Sequence, residues 1–550
     1  MSEARDPERL RWLQRLLEML PGLLSWAILV VPIWLSVSYP WLIGYFIVAF
    51  DVYWLARVVR LAVGAVAGRL RVRRVLETNW SARLAMLHDR PAHREEMLRH
   101  LAGLPQRPGA ALGFDALADG RRERARLERE LDALDLVDEL ETPPPSPGEF
   151  VHLALIATGG EPLHALRLTV RALAEADWPA ERKICAIITR RNDEGAKANV
   201  DVLRAEFGPA FADMLHVLDP LDPGIVVDAG RALSFGSRAA YRVLVRERGM
   251  DPRRVLVTGI DGDYRVDRQY FSHLTWTHLA TEDRETQLYQ PIPFLDNDLW
   301  AAPLPLRLFA AVLTQLQLAR SLTVRRFQAV GCVAATLALI HDVGYWASEA
   351  VLDDGRLAWK GYFAHGDRFG TVPLFMPVHG DAGRARVDRR ALVGQFLQPR
   401  RWAWGVGDLA YVLEGLLRRA AIPVGSRVRR IGGLIGEHAG WAVTPMIVLF
   451  GTGIPILLGV TLTGSAPSAI LTLTALATLA LALVVLLLLV WVELGIMPAR
   501  PRSWGILRRG LTDLLWMGLP FVGIFLSVVP ALDAGTRPRS GRAPEASQTR

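Results

Sequence analysis

Two carboxylates two residues apart, Asp261-Gly262-Asp263, close the apolar run Val255 to Ile260 in the stretch VLVTGIDGDYRVDRQYF. An apolar run of that length reads as a strand, so both side chains stand at its end. There they can hold a hard divalent cation while sharing a ligand's diphosphate with it. Mg²⁺ or Mn²⁺ held in that way would neutralise charge on a departing nucleotide. Asp-x-Asp also arises by chance in a chain of this size. A second strand end, Thr158-Gly159-Gly160-Glu161, places glycines where backbone amides can approach a nucleotide, although a plain turn between strand and helix reads the same way.

The elements that must position these residues begin near 150. The run FVHLALIAT is followed by a helical pattern over about 161–176, then by KICAIIT and a second helical pattern over about 193–206. Such alternation predicts a parallel sheet flanked by helices, with the binding site beyond the carboxyl ends of the strands. Residues 64–140 read as helices rich in Arg and Glu, ended by the stiff linker TPPPSPG at 142–148, and carry no evident chemistry.

Apolar stretches flank this region at both ends. Residues 22–38 and 40–63 are near the roughly 20 residues that cross a hydrocarbon core and predict a helical hairpin. A secretory signal peptide competes for the first stretch, but no small-residue cleavage site follows it. Three more runs, 440–462, 468–492 and 515–533, lie near the end, and the last contains Pro520 and Pro530. That last run either crosses or lies in the interface. The run 328–341 is too short to span and reads as a buried helix. Arg69, Arg71, Arg73 and Arg74 crowd the exit of the second stretch, which predicts an integral protein of the inner membrane with its central region in the cytoplasm.

Composition agrees with a membrane rather than a nucleic-acid partner. The chain is 51% apolar, and its net charge of +8 arises from 64 basic against 56 acidic residues spread along its length. No basic tail, zinc finger or RNA-binding signature accompanies that excess, so no nucleic acid is expected. Cys185 and Cys332 alone cannot supply a disulfide framework.

From about 150 to 405 the chain resembles the membrane-bound family 2 glycosyltransferases, the cellulose synthase-like group with a GT-A catalytic domain. The marker is Gln398-Pro399-Arg400-Arg401-Trp402, which matches that family's Gln-x-x-Arg-Trp motif. The resemblance implies that Trp402 stacks on an acceptor sugar and that Gln398 and Arg401 hold the acceptor and the diphosphate. An aromatic face suits a sugar's C–H surface and a planar guanidinium suits phosphate oxygens, though an Arg-Trp pair also serves as a membrane-interface anchor. The family's acidic pair is matched by Asp353-Asp354, a short distance after Gly344-Tyr345-Trp346. Asp354 would then be the general base that takes the acceptor hydroxyl's proton. Leu352-Asp353 stands where the family has Thr-Glu, so Glu349 remains a rival, and a solvated turn is the plain alternative.

Softer matches add Arg231, in GRALSFGSRAAYR, as a cation for the diphosphate, and Asn297 and Trp300, after Gln290-Pro291-Ile292, near the acceptor. The family's nucleobase-contacting Asp at the end of the second strand is absent, with Thr189 and Arg190 in its place. The resemblance implies an inverting enzyme that takes a nucleotide-sugar donor and a lipid-linked or polysaccharide acceptor, with membrane lipids and a possible partner membrane protein around it.

The expected architecture is an α/β GT-A (Rossmann-like) cytoplasmic domain with N- and C-terminal transmembrane helices. An N-terminal helix and hairpin occupy 1–63, a helical region and linker 64–149, the catalytic domain 150–405, interfacial amphipathic helices 406–438, transmembrane helices 439–535 and a tail 536–550. The rival is a catalytically inactive relative acting as a membrane scaffold or transporter component.

Overall fold

The computed structural model describes residues 19–20, 22–32, 34, 38–104, 114–220, 229–322, 331–347, 353–382, 407–419, 422–446, 466–518, 522–523, 525 and 528–536. Its centre is an eight-stranded sheet in the order β3-β2-β1-β4-β7-β6-β8-β5. Four strands run parallel: β1 (Val151–Ala157), β2 (Lys183–Arg190), β3 (Asp213–Asp219) and β4 (Val255–Asp261). Parallel strands covered on both faces have no polar side to show, which is why β1 is buried at every position and reads as an unbroken apolar run.

Alternate residues still divide between two cores. Ala154, Ile156, Cys185, Ile187 and Ile260 pack on one face with Leu166, Tyr270 and Phe271. Leu153, Leu155, Ile184, Ile188 and Val257 pack on the other with Leu233, Leu244 and Trp346. Each Leu, Ile, Val or Phe side chain so withdrawn from water contributes about 1.5–3 kcal/mol before chain entropy is charged against it.

Beyond β4 the sheet stops being parallel. The strand β7 (Val333–Thr336) lies antiparallel to β4 and to β6 (Gln287–Asn297), which in turn runs parallel to β8 (Gly370–Asp381). A two-residue β5 (Arg265–Val266) completes the edge against β8. Part of the short run expected to be a buried helix is therefore a strand. Val333–Thr336 pairs with β4, and the helix follows only at Leu337–Asp342. A short apolar run is ambiguous between the two states, and the pairing partner decides.

The expected transmembrane helices are overturned: among the described residues, no helix is long and apolar enough to cross a membrane. Helix α1 (Pro40–Glu77) carries Asp51, Arg57 and Arg60 within and beside its apolar stretch. Its middle is protein core instead. Gly64 and Gly68 let α1 lie against α2 (Leu304–Arg320), where an added Cβ at either position would come within 2.9 Å of Ala319 or Leu318. Ala62, Ala65 and Val72 are buried there with Ile292 and Phe294 of β6 and Phe375 of β8.

The later run lies in α3 (Ala466–Ile496), whose Val485, Leu489 and Val492 join the same core. Arg69 of α1 also donates to the Trp491 carbonyl of α3 at 2.6 Å. Within the run 515–533 the described elements include a short 3-10 turn, Leu515–Gly518, and a helix that starts at Val529. Most of 440–462 lies outside the described residues. The expectation of an integral inner-membrane protein, whose orientation was read from arginines flanking those spans, falls with them.

Candidate active site

The carboxyl ends of β1 and β4 lie side by side, with Ala157 paired to Asp261. The chain turns immediately, as the Tyr264 amide donates to the Asp261 carbonyl at 3.1 Å, so Gly262 and Asp263 cap the strand. From the β1 end, Glu161 folds back: its Oε2 accepts from the Gly159 amide at 2.7 Å, and its carboxylate lies 3.1 Å from where a Gly262 Cβ would be. Gly160 has φ of 105°, a left-handed conformation that suits glycine. Thr158 is buried, with its hydroxyl donating to the Ile188 carbonyl at 2.8 Å.

Asp263 sits in a crowd of negative charge. Burial, then the carboxylates of Asp381 at the end of β8 and Glu161, push its carboxyl up to about 6. The Asn297 amide fixes the turn from the far side, donating to the Asp263 carbonyl at 3.2 Å and to the His379 carbonyl at 2.9 Å. Among the described residues, no group of three or more His, Cys, Asp and Glu side chains is arranged to hold a metal ion. Mg²⁺ or Mn²⁺ needs only one or two carboxylates, because waters and phosphate oxygens complete its shell. Asp261 and Asp263 meet that lesser requirement, and the charge crowded around Asp263 is what a divalent cation would relieve.

Asp354 comes to this place from the first turn of the helix Asp353–His365. It is 8% exposed. Its Oδ2 accepts from the Gly331 amide at 2.7 Å and its Oδ1 from the Trp346 indole N–H at 3.1 Å. The Tyr264 hydroxyl lies 3.2 Å from where a Cβ on Gly331 would be. The Tyr264 phenol is held well above its ordinary range by burial and then by the charges of Asp261, Asp263 and Asp354 together with Cys332, so it stays a neutral donor. One buried ring thus feels all three carboxylates, which lie almost a hundred residues apart in sequence at the extremes.

The other anticipated residues divide. Arg231 lies 3.8 Å from Asp219 at the end of β3. Trp300 packs edge-on against Trp504 with ring centroids 5.4 Å apart, and its indole N–H donates to the carbonyls of Pro498 and Ala499. The Asp353 side chain, Glu349, Gln398, Arg401 and Trp402 lie outside what the structure describes.

Several residues at the site escape a reading by motif. Asp381 ends the run VPLFMPVHGD and Asp219 ends MLHVLD, so the strand-end rule applied to every strand would have found both. His379, whose Nδ1 lies 2.9 Å from both Asp296 oxygens, and the Asp354 partners Gly331 and Trp346 leave no comparable signal.

No known protein family matches the chain, and neither does any curated protein. Among solved structures the chain is similar to the mannosyltransferase PcManGT from Pyrobaculum calidifontis in complex with GDP-Man and Mn²⁺. The two share 15% identity at a TM-score of 0.40, over 76% of this chain and 97% of that one. It is also similar to S. aureus TarS 1-349 in complex with UDP-GlcNAc, at 10% identity and a TM-score of 0.33, over 68% of this chain and 90% of that one.

Proposed function

We propose that this chain is a metal-dependent glycosyltransferase that moves a sugar from a nucleotide-activated donor to an acceptor hydroxyl in a single displacement. The observation that carries this reading is that Tyr264 joins the two places: its amide closes the Asp261–Asp263 turn, and its hydroxyl lies against Gly331, whose amide donates to Asp354. A pair of carboxylates for a cation, with a third held apart by its own hydrogen bonds, is the equipment that such a transfer needs.

Asp261 and Asp263 would hold Mg²⁺ or Mn²⁺, which supplies compensation for the charge of the leaving diphosphate. The Gly159-Gly160 turn lies at the end of β1 beside Asp261; the Gly159 amide is taken by Glu161, which leaves the Gly160 amide to approach the donor's phosphates. Asp354 accepts hydrogen bonds at both oxygens, from the neutral Gly331 amide and Trp346 indole N–H. As the acceptor oxygen bonds to the anomeric carbon, the bond from that carbon to the diphosphate oxygen breaks and the hydroxyl proton passes to Asp354. Inversion at the anomeric carbon follows from one displacement. Gln398, Arg401 and Trp402 are proposed to complete the acceptor side, in the roles that the Gln-x-x-Arg-Trp resemblance implies, with a lipid-linked or polysaccharide sugar as acceptor.

The test incubates the full chain with a panel of nucleotide sugars and Mg²⁺ or Mn²⁺, with release of nucleoside diphosphate as the readout. Metal-dependent release by the native chain, lost in Asp354→Asn, is expected. Absence of release across the panel, or equal release by Asp354→Asn, would overturn the reading.

A further inference from the structure

Asp219 is the last residue of β3 and pairs in register with Arg190, the last residue of β2. It is only 2% exposed, yet among the described residues neither of its carboxylate oxygens has a hydrogen-bond partner. Among the described residues the cation beside it is Arg231, whose Nε lies 3.8 Å away, near enough to balance charge and too far to donate a hydrogen bond. A buried acceptor left without donors is costly, so such a group points to a ligand that supplies them. Because Arg231 already offsets the charge, what the carboxylate lacks is neutral N–H or O–H donors rather than a cation.

Position in the sheet says which part of a ligand arrives there. The strands run β3, β2, β1, β4, so Asp219 lies three inter-strand steps, about 14 Å laterally, from the Asp261–Asp263 turn. On the proposed transferase reading, the diphosphate lies at that turn, and a donor laid across the strand ends carries its base towards β3. Two acceptor oxygens side by side match two adjacent donors. Guanine presents such a pair on one edge, N1–H beside the N2 amino group. The corresponding edge of uracil sets a single N–H between two carbonyls, and those of adenine and cytosine place an acceptor next to the amino group. Those three bases would each turn an acceptor towards one Asp219 oxygen.

We infer that Asp219 is a specificity-determining residue that selects a guanine nucleotide, so that the donor is a GDP-sugar. The inference rests on the transferase reading, and its test separates the two. Titrations of the full chain with GDP, UDP, ADP and xanthosine diphosphate, each with Mg²⁺, give four dissociation constants. GDP is expected to bind about ten- to a hundred-fold more tightly than UDP, the discrimination usual for one good bidentate pair. In Asp219→Asn one acceptor becomes a donor, which suits xanthine, whose C2 carbonyl replaces the guanine amino group. That variant is expected to prefer xanthosine diphosphate to GDP, with an unchanged thermal melt because the side chains are nearly the same size. Equal affinity of the native chain for UDP and GDP would overturn the inference while leaving the transferase reading in place, as would a well-folded Asp219→Asn that keeps its preference for GDP over xanthosine diphosphate. If Asp219→Asn does not fold, the native GDP-to-UDP ratio decides alone. Binding of none of the four would overturn the transferase reading and the inference together.

Discussion

Glu161 and Gly262 occupy adjacent strand ends so closely that a methyl group on Gly262 would lie 3.1 Å from the Glu161 carboxylate and 2.9 Å from Leu166 Cδ2. The backbone of the Asp-Gly-Asp turn therefore passes close against the ends of two side chains, and the Glu161 hydrogen bond to Gly159 holds that carboxylate within the turn that follows β1. Gly262→Ala is expected to lower kcat/KM for the nucleotide sugar at least tenfold, because small displacements of positioning groups are expensive. Its cost in stability should be about 1–3 kcal/mol, the usual range for overpacking. Kinetics alongside a denaturant melt give both numbers, and unaltered kcat/KM would show that the close approach has no functional consequence.

Asp354→Asn keeps a side chain that can still meet Gly331 and Trp346 but removes the base. Turnover should fall by about 10²–10⁴-fold, with nucleotide affinity within a few-fold of native. Asp353→Asn and Glu349→Gln serve as comparisons. If either abolishes turnover while Asp354→Asn stays active, the base has been misassigned.

Trp346→Phe removes the indole donor to Asp354 Oδ1 and leaves most of the ring that packs against Leu233 and Gly259. The Gly331 amide still donates to Oδ2. A loss of about tenfold in kcat with little change in KM is expected, since an orienting contact acts on the transition state more than on binding. A pure rise in KM would argue instead for a role in holding substrate.

Chelation should abolish activity, and addition of Mg²⁺ or Mn²⁺ should restore it. Asp263→Asn should raise the metal concentration needed for half-maximal activity by at least tenfold. Titrating activity against added metal checks both statements, and full activity in excess chelator would remove the cation from the mechanism.

Three buried histidines make stability depend on pH. Burial lowers His152, His273 and His278 to about 3, with smaller contributions from positive neighbours: His278 and Lys183 for His152, Arg83 for His273, and Arg284 and Arg254 for His278. An unfolded histidine titrates near 6.5, so between about 3 and 6.5 the unfolded chain binds more protons than the folded one. Their stabilising contribution is complete above pH 6.5 and is lost as pH falls towards 3, at up to about 1.4 kcal/mol per pH unit for each ring. Urea melts from pH 7.5 down to 4.5 should show that decline. His273→Phe, which keeps a ring against Trp80, should make it shallower by about one proton, and an unchanged slope would contradict the assignment.

How much was legible follows from these particular residues. The runs VHLALIA, KICAIIT and VLVTGID could be read as strands because a parallel sheet buries both faces and leaves its mark in unbroken local composition. Asp261 and Asp263 were legible with them, since the end of an apolar run is also the end of a strand. The antiparallel β7 was not, because four apolar residues suit a strand or a helix equally until a partner is beside them.

By itself, then, the amino-acid order determined where strands end and which carboxylates stand at those ends, since both depend on side chains within a few residues of one another. Tertiary structure alone decided that Asp354 meets the Gly331 amide and the Trp346 indole, that Asp381 and Glu161 crowd Asp263, and that Asp219 faces Arg231 with no donor among the described residues. It also decided what α1 and the described part of α3 are buried against. Apolar composition says that a segment avoids water, whereas the burial of Ala62, Ala65, Val485 and Leu489 in one core with Ile292, Phe294 and Phe375 says that protein shields these particular side chains.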